Sequence, residues 1–345
     1  MKHLAGGIVL VAVSASFGLA TSQPRGPPNQ RRFKWEETKH IIAFGDYYTF
    51  VQGTAGYPGF SFIGDYRPGH LSFTPEELLT DKIVQGFGGT SADGPNCIEY
   101  LSGCAVEDGE WLPSECKMQL WNFAFAGADV SEQSTPLHAE YVVPLVNQTQ
   151  QYLTWAEPVI GGHMKKERAL VAIWIGINDI SDTSKYNASL LHLYSDIMDS
   201  MFRNSIEPLY RSGYHNFLFL NLPPVDRTPA NLLRSSPSPN KMMIEWWNEK
   251  LAGHVQDFSN SHNDATALLY DTNTFLNGVL DEPSMYGVHN ITDFCPGYNN
   301  STVLTDPGAF GCAPLDGYYW FNQGHITSHI HELIADDLRG FLESH

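Results

Sequence analysis

HIIAFGDYYTF, residues 40–50, joins an apolar strand to an abrupt turn. The apolar run of Ile41, Ile42 and Phe44 stops at Gly45-Asp46, which predicts a buried strand that ends in a tight loop. In open α/β sheets, ligands bind in the crevice outside the carboxyl ends of the strands. The loop after this strand is therefore the first place where we expect a functional site.

Apolar strand-like runs alternate with helical patterns through the middle of the chain, an order typical of a parallel sheet with helices on both faces. Helical spacing predicts one helix over about residues 240–258 and a final helix whose apolar stripe contains Ile330, Leu333, Ile334, Leu338, Phe341 and Leu342. The candidate strands are residues 40–44, 120–125, 169–175, 217–220 and 267–270. The pattern predicts one α/β domain with long loops.

The composition is that of an acidic protein with a substantial core. Of 345 residues, 42% are apolar, and 20 basic against 38 acidic side chains leave a net charge of −18. Basic residues adjoin each other only at Arg31-Arg32 and Lys165-Lys166. Because nucleic-acid binding needs a basic patch, we expect no nucleic-acid partner.

The N-terminal residues predict export. Lys2 is followed by a short apolar run at residues 8–13 and by small residues at 18–22, so residues 1–22 have the pattern of a signal peptide. This run is too short to span a membrane, and no other stretch approaches the roughly 20 apolar residues that a spanning helix needs. Residues 23–34 are predicted to be a disordered, proline-rich leader, and residues 35–345 the folded domain. We expect a secreted monomer without a membrane anchor.

Candidate glycosylation sites agree with export, because Asn-x-Ser/Thr acceptors are modified in secreted proteins. The acceptor asparagines are Asn147, Asn187, Asn290, Asn299 and Asn300.

Five cysteines fall in a chain for which an oxidising compartment is expected. Cys104 and Cys116 flank one loop rich in Gly, Pro and Asp, and Cys295 and Cys312 flank another. We predict one disulfide across each loop, although spacing alone does not prove the connectivity. Cys97 is then left over, and we expect a buried free thiol rather than a nucleophile.

Four polar blocks fall at the ends of the predicted elements. Residues 45–49 (GDYYT) follow the first strand, and 122–128 (NFAFAGA) end the second. Residues 176–179 (GIND) follow the most hydrophobic strand, and 322–327 (NQGHIT) precede the final helix. Each block alone is a weak signal. Their order and their positions at strand ends together predict a single site.

These blocks resemble those of the SGNH/GDSL hydrolases, and within them the secreted fungal-type acetylesterases of carbohydrate esterase family 16. Further matches are residues 48–54 (YTFVQGT), 94–101 (GPNCIEYL) and the region from Asp271 to Tyr286-Gly287. The resemblance covers nearly the whole mature chain. It implies a flavodoxin-like α/β/α sandwich with about five parallel strands, and hydrolysis of acetyl or other short-acyl esters, with acetylated carbohydrate as the substrate class.

The family mechanism assigns a role to each block. A serine after the first strand attacks the ester carbonyl, and a histidine takes its proton. By resemblance, His325 is that base, and the oxyanion donors are the Tyr47 N–H, the Gly127 N–H and the Asn178 side-chain amide. One such donor contributes roughly 2.7–4 kcal/mol to transition-state stabilisation.

Two positions depart from the family pattern. Tyr47 stands where the nucleophilic serine belongs, and Asn322 stands where an aspartate usually orients the histidine. Asn322 can accept a hydrogen bond from the imidazole, but it carries no negative charge. A phenol has an ordinary pKa near 10, and its oxygen lies several ångströms farther from the backbone than a serine hydroxyl. We expect the ring of Tyr47 to fill the acyl space, and a shift of the nucleophile to Thr49 would also displace the backbone donor.

Three explanations for Tyr47 remain open on the sequence alone. The chain is a degenerate member that retains a glycan-binding cleft, with aromatic side chains such as Tyr47 and Tyr48 as contacts. Alternatively it is an active esterase with another nucleophile, or the tyrosine is an allelic or sequencing change. Asp316 is a candidate substitute for the missing carboxylate.

A metal site is a separate hypothesis, since His325, His329, His331 and Asp336 lie close in sequence. On a helix, residues 325 and 329 would share a face, but residue 331 would point elsewhere. We therefore expect no metal and no other cofactor, because the family reaction needs only side chains and water.

Overall fold

The computed structural model describes residues 33–64, 72–183 and 189–345. The predicted signal peptide, most of the predicted leader and the acceptor Asn187 lie outside these residues. Phe33, within the predicted leader, is buried in the main core, and Lys34 is exposed.

A five-stranded parallel sheet forms the centre of the fold. Its strands are β1 (His40–Gly45), β6 (Gln119–Asn122), β7 (Ala169–Trp174), β8 (Asn216–Leu220) and β9 (Thr266–Tyr270), in the spatial order β6-β1-β7-β8-β9. All neighbouring pairs are parallel. In chain order this is 2-1-3-4-5, the flavodoxin-like arrangement. The predicted fold class and all the candidate strands of the sheet are confirmed.

Two small sheets lie outside the central one. Strands β2 (Ala55–Gly56) and β3 (Ile63–Gly64) pair in parallel, and β4 (Ile83–Gln85) pairs antiparallel with β5 (Gly109–Trp111). Sequence reasoning did not predict these strands, because each is only two or three residues long.

Helices flank the central sheet, and α10 packs on α2 while α8 packs on α5. Their bounds are α1 Pro75–Thr80, α2 Cys97–Ser102, α3 Leu145–Gln151, α4 Ile177–Thr183, α5 Leu190–Met201, α6 Glu207–Arg211, α7 Pro229–Leu232, α8 Lys241–Ser261, α9 Thr272–Asp281 and α10 Ser328–Glu343. Two π-helical segments, Tyr152–Gly161 and Phe202–Ile206, continue α3 and α5. Short 3₁₀ turns include Trp35–Glu37, Pro113–Glu115, Lys166–Arg168, Val225–Arg227, Pro283–Tyr286, Ser301–Leu304, Pro307–Phe310 and Leu315–Gly317.

The ends of the elements follow local chemistry. Helix α8 begins after Asn240, whose side chain accepts a hydrogen bond from the Met243 N–H at 3.1 Å. Strand β6 ends at Asn122, three residues earlier than predicted. The side chain of Asn122 bonds the Ala124 N–H and the Thr49 carbonyl, which turns the chain out of the ladder. In α10 the innermost residues of the predicted stripe, Ile330, Ile334, Leu338 and Leu342, are all buried.

Both predicted disulfides are present in the structure, Cys104–Cys116 and Cys295–Cys312, and Cys97 is a buried free thiol. Of the candidate glycosylation sites, Asn299 and Asn300 are exposed, whereas Asn147 is half-buried within α3. The side chain of Asn290 is engaged with the backbone N–H groups of Thr292 and Asp293. Within the described ranges, no helix has both the length and the apolarity that crossing a bilayer requires.

Candidate active site

Three strands of the sheet end at the same crevice. Tyr47 follows β1, Gly127 follows β6 and Asn178 follows β7, and these strands are direct neighbours in the sheet. His325 reaches the crevice from the loop before α10. The parallel sheet therefore brings the four predicted blocks together at its carboxyl edge, where ligands bind in folds of this kind.

The turn after β1 requires glycine at its first position. Gly45 has φ +156°, and a Cβ on it would lie 2.2 Å from the carbonyl oxygen of Trp174. The side chain of Gln148 holds both backbone groups of Gly45, since its Oε1 accepts from the N–H at 3.0 Å and its Nε2 donates to the carbonyl at 2.9 Å. This clamp fixes the direction in which the chain enters Asp46 and Tyr47.

The ring of Tyr47 lies between His325 and Gly127. Its centroid is 4.9 Å from that of the His325 imidazole. Its hydroxyl oxygen is 3.3 Å from the position that a Cβ would take on Gly127. Burial, with Tyr141 and Asp46 nearby, raises the pKa of Tyr47 above its ordinary value. The side chain is thus a neutral phenol that crosses the space between the histidine and the glycine.

Gly127 lies beside the Tyr47 hydroxyl, and Asn178 bonds the backbone one residue after Gly127. Gly127 has φ +86°, a left-handed conformation that favours glycine. The Asn178 side chain is buried and its Nδ2 donates to the carbonyl of Ala128 at 2.8 Å. Because an amide nitrogen carries two hydrogens, a second donor remains on Nδ2. The assignment of Gly127 and Asn178 as a donor pair for an oxyanion stays a prediction.

Asn322 orients the imidazole of His325. Its Oδ1 lies 2.9 Å from His325 Nδ1 and accepts from the backbone N–H groups of Gly324 and His325, each at 3.0 Å. Backbone N–H groups only donate, so they hold the amide oxygen, and not its NH₂, toward the ring. His325 therefore carries its proton on Nδ1 and leaves Nε2 as an acceptor, which is the tautomer that a general base needs.

His325 is neutral at ordinary pH. Burial lowers its pKa to about 4, because desolvation disfavours the charged form. Asn322 supplies no charge to oppose this effect. Asn322 gives the imidazole the tautomer of a general base, and what the site lacks is the charge that would stabilise an imidazolium.

The model of the GDSL-like lipase/acylhydrolase family matches residues 41–338. The chain belongs to this family. It is similar to an acetylesterase of Thermothelomyces thermophilus, with 28% identity over 329 residues that cover 94% of this chain and 93% of that protein.

Two further relatives place this GDSL-family chain among ester hydrolases. An acetylesterase of Hypocrea jecorina is 21% identical over 87% of each chain. GDSL esterase/lipase 2 of Arabidopsis thaliana is 26% identical over 51% of this chain and 52% of its own. The resemblance inferred from the four blocks is confirmed for the family and for its similarity to fungal acetylesterases.

Among the described residues of this GDSL-family chain, the other candidate groups are not hydrogen-bonded to the ring of His325. Thr49 is 1% exposed and packs under the Gly45 turn, so it cannot meet a substrate. Tyr48 is also 1% exposed, and the expectation that it contacts a glycan is wrong. Its hydroxyl instead donates to the Gly324 carbonyl at 2.8 Å and so supports the His325 loop. Asp316 is exposed and lies near Asp93, whereas Nδ1 of His325 is engaged by Asn322.

The histidines of the sequence-based metal hypothesis point in different directions. His329 Nε2 bonds the Tyr286 carbonyl at 2.8 Å, and His331 is buried against Tyr48 and Trp174. Among the described residues, a group with metal-ligand spacing is found elsewhere: Asp129, His138 and Asp182 place one ligand atom each within 4.8 Å of one another. His138 Nε2 is ion-paired with Asp182 at 2.5 Å.

A half-buried aromatic cluster adjoins Tyr47 and was not predicted from the sequence. The rings of Tyr57 and Tyr141 stack with centroids 5.0 Å apart, and Phe60 meets Tyr141 at 4.9 Å. Tyr47 and Phe60 both pack against the buried side chains of Phe50, Ala124 and Ala126, and Tyr141 is near enough to Tyr47 to raise its pKa. The rings come from two loops about 80 residues apart, so no local spacing could have indicated the cluster.

Two buried carboxyl groups support the site from beneath. Asp46 Oδ1 accepts from the Tyr48 N–H at 3.1 Å, and both oxygens of Asp179 accept from the Val130 N–H at 3.1 Å. Burial raises the pKa of each to about 7. Asp179 thereby fixes the segment that carries Gly127 to the segment that carries Asn178, a role that its sequence position did not reveal.

We expect Gln148→Leu to lower the free energy of unfolding by roughly 1–3 kcal/mol, because it removes the side-chain acceptor of the buried Gly45 N–H and an unpaired buried group costs about that much. The Gly45 carbonyl keeps the Phe125 N–H as a donor at 3.1 Å. Urea unfolding measures the change. Gln150→Leu on the exposed face of the same helix is the matched control and should stay within about 0.5 kcal/mol. Equal effects of the two substitutions would contradict the clamp.

Proposed function

We propose that this chain is a secreted protein of the ester-hydrolase class that binds acetylated carbohydrate, or another short-acyl ester, without turning it over. Membership of the GDSL family and similarity to two acetylesterases support the substrate class. The two disulfides and the exposed acceptors Asn299 and Asn300 support export, because disulfides persist in oxidising compartments.

One observation supports the proposed loss of ester hydrolysis. The phenol of Tyr47 lies where the reacting acyl group would sit, between the ring of His325 and the backbone of Gly127. A serine hydroxyl at this position would be next to the base and to the oxyanion donors. The phenol oxygen is instead beside Gly127, and its raised pKa keeps it protonated and weakly nucleophilic.

The residues predicted as oxyanion donors and base are all retained, which supports binding of an ester. The Asn178 amide, the Gly127 turn and the His325–Asn322 pair keep a geometry suited to an ester. Half-exposed rings of Tyr57, Phe60 and Tyr141 form a cluster next to Tyr47, with Tyr141 as its neighbour. A crevice with aromatic walls and a few oriented polar groups is typical of a small-molecule site. The chain should therefore still bind the ester but not hydrolyse it.

Two measurements on the purified protein test this proposal. Titration calorimetry with acetylated xylo-oligosaccharides should detect binding, and a chromogenic acetate ester should be hydrolysed no faster than in buffer. Deacetylated oligosaccharides of the same length serve as the matched ligand. Hydrolysis at ordinary esterase rates that survives Tyr47→Phe would overturn the loss of turnover, and absence of binding by every oligosaccharide would overturn the binding function.

A further inference from the structure

A cavity of about 430 Å³ opens on a part of His325 that Tyr47 does not cover. Its walls are the start of α4, the segment from Val225 to Pro239, Tyr298 and the loop from Asn322 to His325. The volume lies within the range of roughly 300–1,000 Å³ found for small-molecule sites. Tyr47 is not among the lining residues, so its ring leaves this space available.

The wall formed by Val225–Pro239 is held by one buried side chain. Asn231 is 3% exposed, and its Nδ2 donates to the carbonyl of Pro239 at 2.6 Å while its Oδ1 accepts from the Ser238 N–H at 2.7 Å. The Ala230 N–H donates to the Gln323 carbonyl at 3.1 Å. These hydrogen bonds fix the shape of the wall and its position relative to the loop that contains His325, as a preorganised binding site requires.

Arg234 gives this cavity its charge. It is the one permanently charged side chain among the described lining residues, in a chain of net charge −18. Its Nη1 donates to the Ser238 carbonyl at 2.5 Å, which anchors one side of the guanidinium. The remaining N–H donors form a planar fork of the kind that binds carboxylates in bidentate fashion. No carboxylate side chain of the described lining opposes this charge.

The neutral part of the lining suits a hydroxylated ring. Tyr298 is half-buried between Phe294 and Phe321, at centroid distances of 5.4 and 6.1 Å, and turns part of its ring to the cavity. Gln323 is exposed and adds an amide with donors and an acceptor. A ring face and hydrogen-bonding groups beside a single cation indicate a ligand that is polar, cyclic and anionic.

We propose that this cavity binds a carboxylate-bearing sugar residue, a uronic acid, with Arg234 as the partner of the carboxylate. The proposal rests on the carbohydrate binding proposed above and adds a second requirement, a negative charge on the unit next to His325. The bound glycan would then carry its acylated unit toward Gly127 and its acidic unit toward Arg234.

Calorimetry with a glucuronic-acid-substituted xylo-oligosaccharide and a neutral one of equal length tests this assignment. The wild-type protein should bind the acidic ligand at least about tenfold more tightly, a difference that one charge-assisted pair can supply. Arg234→Gln should abolish the preference without changing the affinity for the neutral ligand, and Arg234→Lys should restore part of it. Arg211→Gln removes an equal charge from an exposed side chain on α6 and should leave the preference unchanged.

Binding of free glucuronate, with glucose as the neutral control, tests the cavity assignment separately from the proposed binding of acylated glycans. Glucuronate binding that is lost in Arg234→Gln supports the cavity assignment even when no oligosaccharide binds, a result that would count only against the proposed glycan function. Equal affinity of the wild-type protein for acidic and neutral probes, or a preference that persists in Arg234→Gln, would overturn the assignment.

Discussion

Tyr47→Ser is expected to raise hydrolysis of a chromogenic acetate ester by at least about 10²-fold over the wild-type protein. The substitution removes the ring between His325 and Gly127 and puts a short hydroxyl at the end of β1. Nε2 of His325 is already an unprotonated acceptor, and the Asn178 amide retains a free donor. General base catalysis alone contributes roughly 10²–10⁴-fold, so restoring the nucleophile should produce a measurable enzyme.

Three variants test whether this gain in rate comes from a serine nucleophile with His325 as its base. Tyr47→Ala makes the same space without a hydroxyl, and Tyr47→Phe keeps the ring without its oxygen, so both should stay at background. His325→Ala in the Tyr47→Ser protein should remove about 10²–10⁴-fold of the restored rate. A Tyr47→Ser protein that folds and binds ligand but hydrolyses no faster than Tyr47→Ala would contradict the assignment of residue 47 as the nucleophile position.

Asn322→Asp in the Tyr47→Ser background is expected to raise both the rate and the pKa of the base. It places a negative charge at the atom that now lies 2.9 Å from His325 Nδ1. An opposite charge at this range raises a histidine pKa by about 1–3 units, and each unit corresponds to about 1.36 kcal/mol, or tenfold, in stabilising the imidazolium. Because the tautomer is already correct, the gain should be smaller than the roughly 10⁴-fold effect known from a serine protease.

The pH profile of kcat/KM measures this second effect directly. Burial lowers the pKa of His325 to about 4 in the wild-type protein, and loss of the Tyr47 ring relieves part of that burial. In Tyr47→Ser the activity should therefore fall as the pH drops through a value between about 4 and the ordinary histidine pKa of about 6.5. In the double variant the acidic limb should move upward by about 1–3 units. Gln256→Glu on the surface of α8 adds the same charge far from the ring and should leave the limb in place. If the acidic limb of the double variant does not move, residue 322 does not orient His325.

Much of the fold follows from local patterns. The strand over residues 169–175 was recognisable because it is apolar without alternation, and all of β7 is buried. The last helix was recognisable from a stripe with helical period, whose innermost residues face the core. The two short sheets were missed because two or three residues carry no period.

The sequence predicted which residues form the site but not the directions of their side chains. Gly127, Asn178 and His325 could be assigned from their blocks, since each block lies at the end of a predicted element. Tyr48 illustrates the limit, because it follows Tyr47 directly and yet is buried with its hydroxyl on the Gly324 carbonyl, 276 residues away. Whether an aromatic side chain faces the crevice or the core depends on packing partners that are distant in sequence.

The sequence by itself determined the family, the parallel sheet and the replacement of the serine by Tyr47, because these depend on residue identity and short-range period. The tertiary structure alone decided where the phenol of Tyr47 lies, which atom of Asn322 meets His325, and that Gln148 clamps Gly45. It also decided that Arg234 lines a cavity with His325. The physical reason is common to all four: side-chain direction is set by contacts and hydrogen bonds that exist only after the chain has folded.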